Sequence, residues 1–335
     1  MASKIFYSIT SLGTSILRLL PSEVSHSVSL ILLKLFNSFG LVPMHKKSAH
    51  NIQSLFGLSF INKIGLSAGL DKNGDYLDSL CSLGVGFIEL GTVTPKPQYG
   101  NRKPRLFRDV KNKSLINMMG FNNKGVLHLI HNLKKERKHK TIVGVSIGKN
   151  SETPLEEAIN DYIECMTCVY QYSDYIAINI SSPNTEDLRN LQNVDYFHDL
   201  ISSLKEKQTQ LSDHHGYVPL LVKISPDISD KDLENLLTEV LKKDLDGVIA
   251  TNTTTNHDYK VPSGGLSGEP LFIRSNEVLK KCRNFLGPQF PLIASGGVMS
   301  KEMYKEKLNI GADLVQIYTG LIYKGPQLIN DILNS

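Results

Sequence analysis

The residues best suited to chemistry crowd into one stretch, Tyr175 to Gln192, YIAINISSPNTEDLRNLQ. Asn179, Ser182, Asn184 and Thr185 place amides and hydroxyls side by side. An amide side chain both donates and accepts hydrogen bonds, so several together can read the edges of a small polar ring. A serine acts as a base or nucleophile only when a neighbour takes its proton onward. The element that must hold them is a strand. Ile176 and Ile178 alternate with Ala177 and Asn179, and β-branched residues dominate. Pro183 cannot donate to a sheet ladder, so the strand ends before it. A polar loop that only caps the next helix is the simpler alternative for this stretch taken alone.

The same pattern of apolar strand and polar end recurs along the chain. Strands are expected at Ile64–Gly69, Phe87–Val93, Ile142–Gly148, Tyr175–Ser181, Leu220–Ile224, Gly247–Thr251, Leu292–Ser295 and Leu314–Tyr318. Helical stretches separate them, which argues for a parallel sheet. Eight such units in about 270 residues suit a (β/α)8 TIM barrel better than an open sheet. The interval Thr94–Thr141 is too long for one loop and helix. It is basic, and it reads as an excursion over the barrel top. The charged run Lys134–Lys140 reads as a solvated helix end.

In a barrel the strand ends converge on one face. Here they carry Ala68-Gly69-Leu70-Asp71-Lys72, Gly91-Thr92, Thr251-Asn252-Thr253, Ser295-Gly296-Gly297 and Tyr318-Thr319-Gly320. Lys223 interrupts an apolar strand. An unpaired buried ammonium is costly, so an anionic ligand is expected as its partner. Glycines after the last two strands let backbone N–H groups approach a phosphate. Together these features point to a phosphorylated cofactor and a small polar substrate.

Composition narrows the field. The chain has 335 residues, 41% of them hydrophobic, and a formal net charge of +4. That charge is too small to argue for nucleic acid. Four cysteines do not make a disulfide scaffold. Cys165 and Cys168 lack a second pair at zinc spacing, so they read as helix cysteines and no metal site is expected.

Residues 1–45 differ from the rest. Ile5, Phe6, Ile9, Leu12, Ile16, Leu19 and Leu20 recur at helical spacing up to Pro21. Ser22 or Ser25 could cap a second helix carrying Val28, Ile31, Leu32, Leu35, Phe36 and Phe39, which Gly40 and Pro43 end. Neither run reaches the ~20 apolar residues of a membrane span. Two short, greasy, basic helices suit a hairpin lying in a membrane surface. A helical pair packed on the body of the protein is the alternative. The division expected is therefore a hairpin at 1–45 and a barrel at 46–335.

The chain resembles the membrane-associated, quinone-dependent dihydroorotate dehydrogenases. AGLDKNG, ELGTVTPKPQYGNRKPRLFR, INMMGFNNKGV, INISSPNT, LVKISPD, VIATNTT, GGLSGEPL and LVQIYTG occur in that order. The resemblance implies FMN across the barrel mouth. Ala68, Gly69 and Thr92 would meet its ring system together with Asn179, with Lys223 and Thr251 beside it. Gly268, Gly296, Gly297, Tyr318 and Thr319 would hold its ribityl chain and phosphate. Dihydroorotate, oxidised to orotate, would be bound by Lys72, Asn117, Met118, Met119, Gly120, Phe121, Asn179, Asn184, Asn252 and Thr253. Ser182 would be the catalytic base, Thr185 its relay through a water, and Phe121 a shield. His26, Arg108 and Tyr318 would line a tunnel for a membrane quinone, ubiquinone or menaquinone.

One position departs from the family pattern: Ser146, in VGVSIGKN, stands where the family has an asparagine touching the flavin. A soluble enzyme using fumarate or NAD, an inactive flavin-binding membrane protein and a sugar-phosphate barrel stay open as alternatives. The resemblance implies a monomer, peripheral on the cytoplasmic face of a bacterial inner membrane or on a mitochondrial inner membrane.

Overall fold

The computed structural model describes residues 2–43, 52–185, 187–259 and 264–334. Two helices lead, α1 (Ala2–Leu17) and α2 (Ser22–Ser38). A short hairpin follows, β1 (Gln53–Leu55) and β2 (Leu58–Phe60). Then come β3 (Ile64–Leu66), α3 (Leu77–Cys81), β4 (Phe87–Val93), β5 (Leu106–Asp109), β6 (Ser114–Asn117) and α4 (Val126–Leu133). The chain continues through β7 (Ile142–Ile147), α5 (Ala158–Val169), β8 (Tyr175–Asn179), α6 (Val194–His215), β9 (Leu220–Ile224) and α7 (Asp230–Lys242). It ends with β10 (Gly247–Ala250), β11 (Gly265–Gly268), α8 (Phe272–Leu286), β12 (Leu292–Ser295), α9 (Lys301–Ile310), β13 (Leu314–Ile317), α10 (Thr319–Lys324) and α11 (Gln327–Leu333).

The strands β10-β12-β13-β3-β4-β7-β8-β9 close into a parallel barrel. These are the eight expected strands, several of them one to three residues shorter at the C-terminal end. Helices cover the outside and side chains fill the inside, so the strands are buried on both faces and read as apolar runs. Ser229 and Ser300 start α7 and α9 by accepting from the Asp232 and Met303 backbone N–H groups. The hairpin β1–β2 was not anticipated. Its Phe60 packs edge-on against Phe87, with ring centres 5.6 Å apart, in a cluster that includes Tyr175. Gly65 and Gly144 make room for those rings: a Cβ at either would come within 2.4 Å of Phe87 or 2.0 Å of Tyr175.

The excursion after β4 is a second, antiparallel sheet. β5 pairs with β6, and β11, from far along the chain, pairs with the other edge of β6. Residues Lys134–Lys140 follow α4 and are mostly exposed, as expected. Cys165 is buried and Cys168 half-buried on α5, and both are free.

The N-terminal helices are present. α2 begins at Ser22 with Pro21 in the capping position and no side-chain cap, so neither Ser22 nor Ser25 caps it. Its end is closed by Gly40, at φ 65°, whose N–H reaches Asn37 O while Leu41 N–H reaches Phe36 O. α1 packs on α2, α10 and α11, and α2 on α3 and β5. Ile9, Leu12, Ile16, Leu19, Leu35 and Phe39 stay exposed. No helix among the described residues is long and apolar enough to cross a membrane. The expected boundary between residues 45 and 46 lies outside the described residues.

Candidate active site

A cavity of about 340 Å³ opens at the C-terminal ends of the barrel strands, under the antiparallel sheet. The strand ends supply Ala68, Gly69, Lys72, Thr92, Asn179, Ser182, Asn184, Lys223, Thr251, Asn252, Thr253, Gly296, Gly297, Tyr318 and Thr319 to its wall. Asn117, Met119, Gly120, Phe121 and Gly268 come from the excursion and β11, and His26 from α2. Met118, Ser146, Thr185 and Arg108 do not line it.

The amides form a linked lattice. Asn179 Nδ2 donates to Thr92 Oγ1 at 2.8 Å, and Asn252 Nδ2 donates to Asn179 Oδ1 at 3.2 Å and to Ser181 Oγ at 3.1 Å. Asn184 Nδ2 donates to Asn117 Oδ1 at 2.8 Å, and Asn184 N–H to Ser182 Oγ at 3.3 Å. Preset partners hold each amide at one rotamer and leave its remaining valences toward the cavity. Ser182 is 7% exposed, so its hydroxyl sits in a nearly dry place. Thr185 Oγ1 is buried with no hydrogen-bond partner among the described residues.

Ser146 stands behind the wall. Its hydroxyl is 2.8 Å from Thr92 Oγ1, so it supports the threonine that Asn179 also holds. It does not line the cavity, where its place in the motif puts a cofactor contact.

Two features were missed from the sequence. Arg189 ties the Ser182 loop to the loop after β10: Nε donates to Ser181 O at 3.4 Å, Nη2 to Thr253 O at 3.0 Å, and Nη1 to Asp227 Oδ2 at 2.9 Å. Asp227 in turn accepts from Thr254 and Thr255. A charged residue aimed at backbone oxygens carries no local sequence signature. The second feature is the partner of Lys223. An anionic ligand was expected, but Lys223 Nζ is 3.1 Å from Glu89 Oε1 in β4 and also donates to Ser67 Oγ at 3.0 Å. Glu89 Oε2 accepts from Gln316 Nε2 at 2.7 Å and Tyr175 OH at 3.3 Å. An acid inside the apolar strand FIELGTV was the available signal.

The α2 side of the cavity is charged. Burial first, then the charge of Arg105, pushes Lys72 down to about 8, with Glu23 and Asp71 opposing. Burial first, then Lys72, pushes His26 down to about 4, so its ring is neutral at neutral pH. Burial raises Tyr318 to about 12. Arg105 anchors α2 by donating to Glu23 Oε1 from Nε and Nη2 at 3.0 and 2.9 Å.

A second cavity, about 230 Å³ and largely apolar, lies between the two N-terminal helices and the barrel. Ile9, Gly13 and Leu17 of α1, Leu33 and Phe36 of α2, Arg108 of β5 and Leu321 of α10 line it. His26, Leu30, Leu70, Leu106 and Leu115 line both cavities. Of the three residues expected in a tunnel, His26 thus stands at the junction, Arg108 on the outer cavity and Tyr318 on the inner. Among the described residues no cluster of His, Cys, Asp and Glu could hold a metal ion.

Comparison with known proteins agrees with this geometry. The family profile described as dihydroorotate dehydrogenase matches residues 52–335. A dihydroorotate dehydrogenase (quinone) of Aliivibrio salmonicida is 47% identical over 324 residues, covering 94% of this chain and 96% of its own. One from Coxiella burnetii is 48% identical over 322 residues, covering 94% of this chain and 92% of its own. The crystal structure of the Eimeria tenella dihydroorotate dehydrogenase with ferulenol superposes with a TM-score of 0.84 at 32% identity, covering 93% of this chain and 89% of that one. The chain belongs to the dihydroorotate dehydrogenase family, in its quinone-dependent class.

Proposed function

We propose that the protein oxidises (S)-dihydroorotate to orotate, with FMN as its resident flavin and a membrane quinone as final electron acceptor, in pyrimidine biosynthesis. The observation that carries this is the pairing of the two cavities. One is polar, with a hydroxyl, amides and a buried cation; the other is apolar and opens beneath the exposed helices.

The donor set suits FMN. Thr92, Asn179, Lys223 and Thr251 offer polar groups to a ring system at one end, and Gly268, Gly296, Gly297 and Thr319 form a narrow cradle for a phosphate at the other. Bound FMN would supply the two-electron acceptor, taking hydride from C6 of the substrate and passing electrons on to quinone. The chain's own groups do the rest. Asn117 and Asn184 on one side, Asn179 and Asn252 on the other, hold the substrate ring, and Lys72 favours its carboxylate. Ser182 takes the C5 proton, and Thr185, with its spare buried oxygen, is the relay through a water. Phe121, 8% exposed, keeps solvent from the reacting carbons. Glu89 pairs with Lys223 and holds its ammonium on the cavity floor, where added negative charge is stabilised.

The quinone enters through the apolar cavity and meets His26 at the junction. The exposed apolar rows of α1 and α2 lie in a membrane surface, the cytoplasmic face of a bacterial inner membrane, with the protein as a monomer. An anaerobic absorption spectrum tests the reading. Dihydroorotate should bleach an FMN spectrum and a long-tailed quinone should restore it. No bleaching, or acid release of FAD, would contradict it.

A further inference from the structure

Lys307 on α9 is buried completely, at 0% exposure, yet no motif or site residue above includes it. Its ammonium donates to Ser275 Oγ at 2.6 Å and stands 5.2 Å from the centre of the Phe272 ring. No ion pair among the described residues includes it. Burial pushes it down to about 7, and Glu306 pulls weakly the other way, itself held by Asn276 Nδ2 at 2.9 Å. A buried ammonium with so little compensation is costly, and an apolar chain of the same size would suit the fold better.

What lies on the far side of Ser275 and Phe272 explains the charge. Ser275 Oγ donates to Phe272 O at 2.9 Å or Gly296 O at 3.1 Å. The Gly296–Gly297 turn, at φ 116° and 78°, rests directly on both residues. A Cβ at Gly296 would come within 2.8 Å of Ser275, and one at Gly297 within 2.4 Å of the Phe272 Cα. The other face of this turn is the wall of the first cavity. Lys307, Ser275, Gly296 and the cavity are therefore in series, in a dry region where a charge is felt beyond its contacts.

We infer that Lys307 is a positioning residue for the cofactor phosphate: through Ser275 it holds the Gly296–Gly297 turn and presents a buried positive charge from behind it. This rests on the phosphate seat proposed above. Phosphate would add negative charge beyond the weak pull of Glu306.

The test compares FMN with riboflavin, which lacks the phosphate, on the full-length protein. Lys307→Met removes the charge and the hydrogen bond; Lys307→Gln keeps a donor for Ser275 but removes the charge. Dissociation constants are read by flavin fluorescence, alongside thermal unfolding of the flavin-free protein. Both variants should weaken FMN by roughly tenfold or more and leave riboflavin within about twofold, with flavin-free melting unchanged or raised for Lys307→Met. Equal losses for both flavins, or an unchanged FMN preference in either variant, would overturn the inference. A wild-type protein with no preference for FMN over riboflavin would overturn the phosphate seat as well, before any variant is made.

Discussion

Replacing Glu89 by glutamine keeps the size and hydrogen-bonding shape of the side chain but leaves Lys223 as a buried cation without its counter-charge. Both groups are almost fully enclosed, Glu89 at 1% and Lys223 at 4% exposure, and they are 3.1 Å apart. At an effective dielectric constant of about 20, a pair at that distance is worth about 5 kcal/mol. Removing one partner of a buried pair is observed to cost about 3–5 kcal/mol. Unfolding entropy of roughly 2.1 cal/mol/K per residue gives about 0.7 kcal/mol/K for a chain of 335 residues. Glu89→Gln should therefore lower the melting temperature by roughly 4–7 °C. The assay is calorimetry on flavin-free protein, so that a change in flavin binding does not enter. The double variant Glu89→Gln/Lys223→Met should recover most of the loss, since no unpaired charge remains. A single variant that melts within about 1 °C of wild type would refute the reasoning.

Ser182→Ala should retain flavin and bind orotate, yet reduce its flavin ~10²–10⁴-fold more slowly in stopped flow; near-normal reduction would remove Ser182 as the base. Lys72 carries its charge below about 8 in the free protein, so the dissociation constant for orotate should rise about tenfold per pH unit above that value. Lys72→Met should flatten this profile. For His26 the folded value of about 4 lies below the unfolded 6.5, so the unfolded chain binds the extra proton first. Stability should therefore fall as pH drops from about 6.5 towards 4, by up to about 3 kcal/mol, and His26→Phe should remove that part of the slope in urea titrations.

The barrel was legible because parallel strands buried on both faces leave apolar runs, as in Gly247–Ala250 and residues 292–294. The wall of the first cavity was legible because strand ends in a barrel must converge, whatever their order. Features set by pairing between distant segments were not. Glu89 meets Lys223 across the barrel interior from strands that are not sheet neighbours. β11 reads as a glycine-rich loop until β6 pairs with it. The β1–β2 hairpin is only three residues a side, and its role appears only once Phe60 meets Phe87. Ser146 is expected at the cavity from its place in the motif; its hydroxyl meets Thr92 instead, behind the wall.

Gly13 offers a direct way to separate the two half-reactions assigned above to the two cavities. It lies on α1 at the wall of the outer cavity, and a Cβ added there meets nothing within 4 Å. Gly13→Phe should therefore place a ring in that cavity without disturbing the helix, where glycine is the weaker residue. The measurement is anaerobic stopped flow on the full-length variant, following the flavin first with dihydroorotate and then with a long-tailed quinone. Reduction should keep the wild-type rate while reoxidation slows at least tenfold; reoxidation at the wild-type rate would contradict this assignment of the cavities.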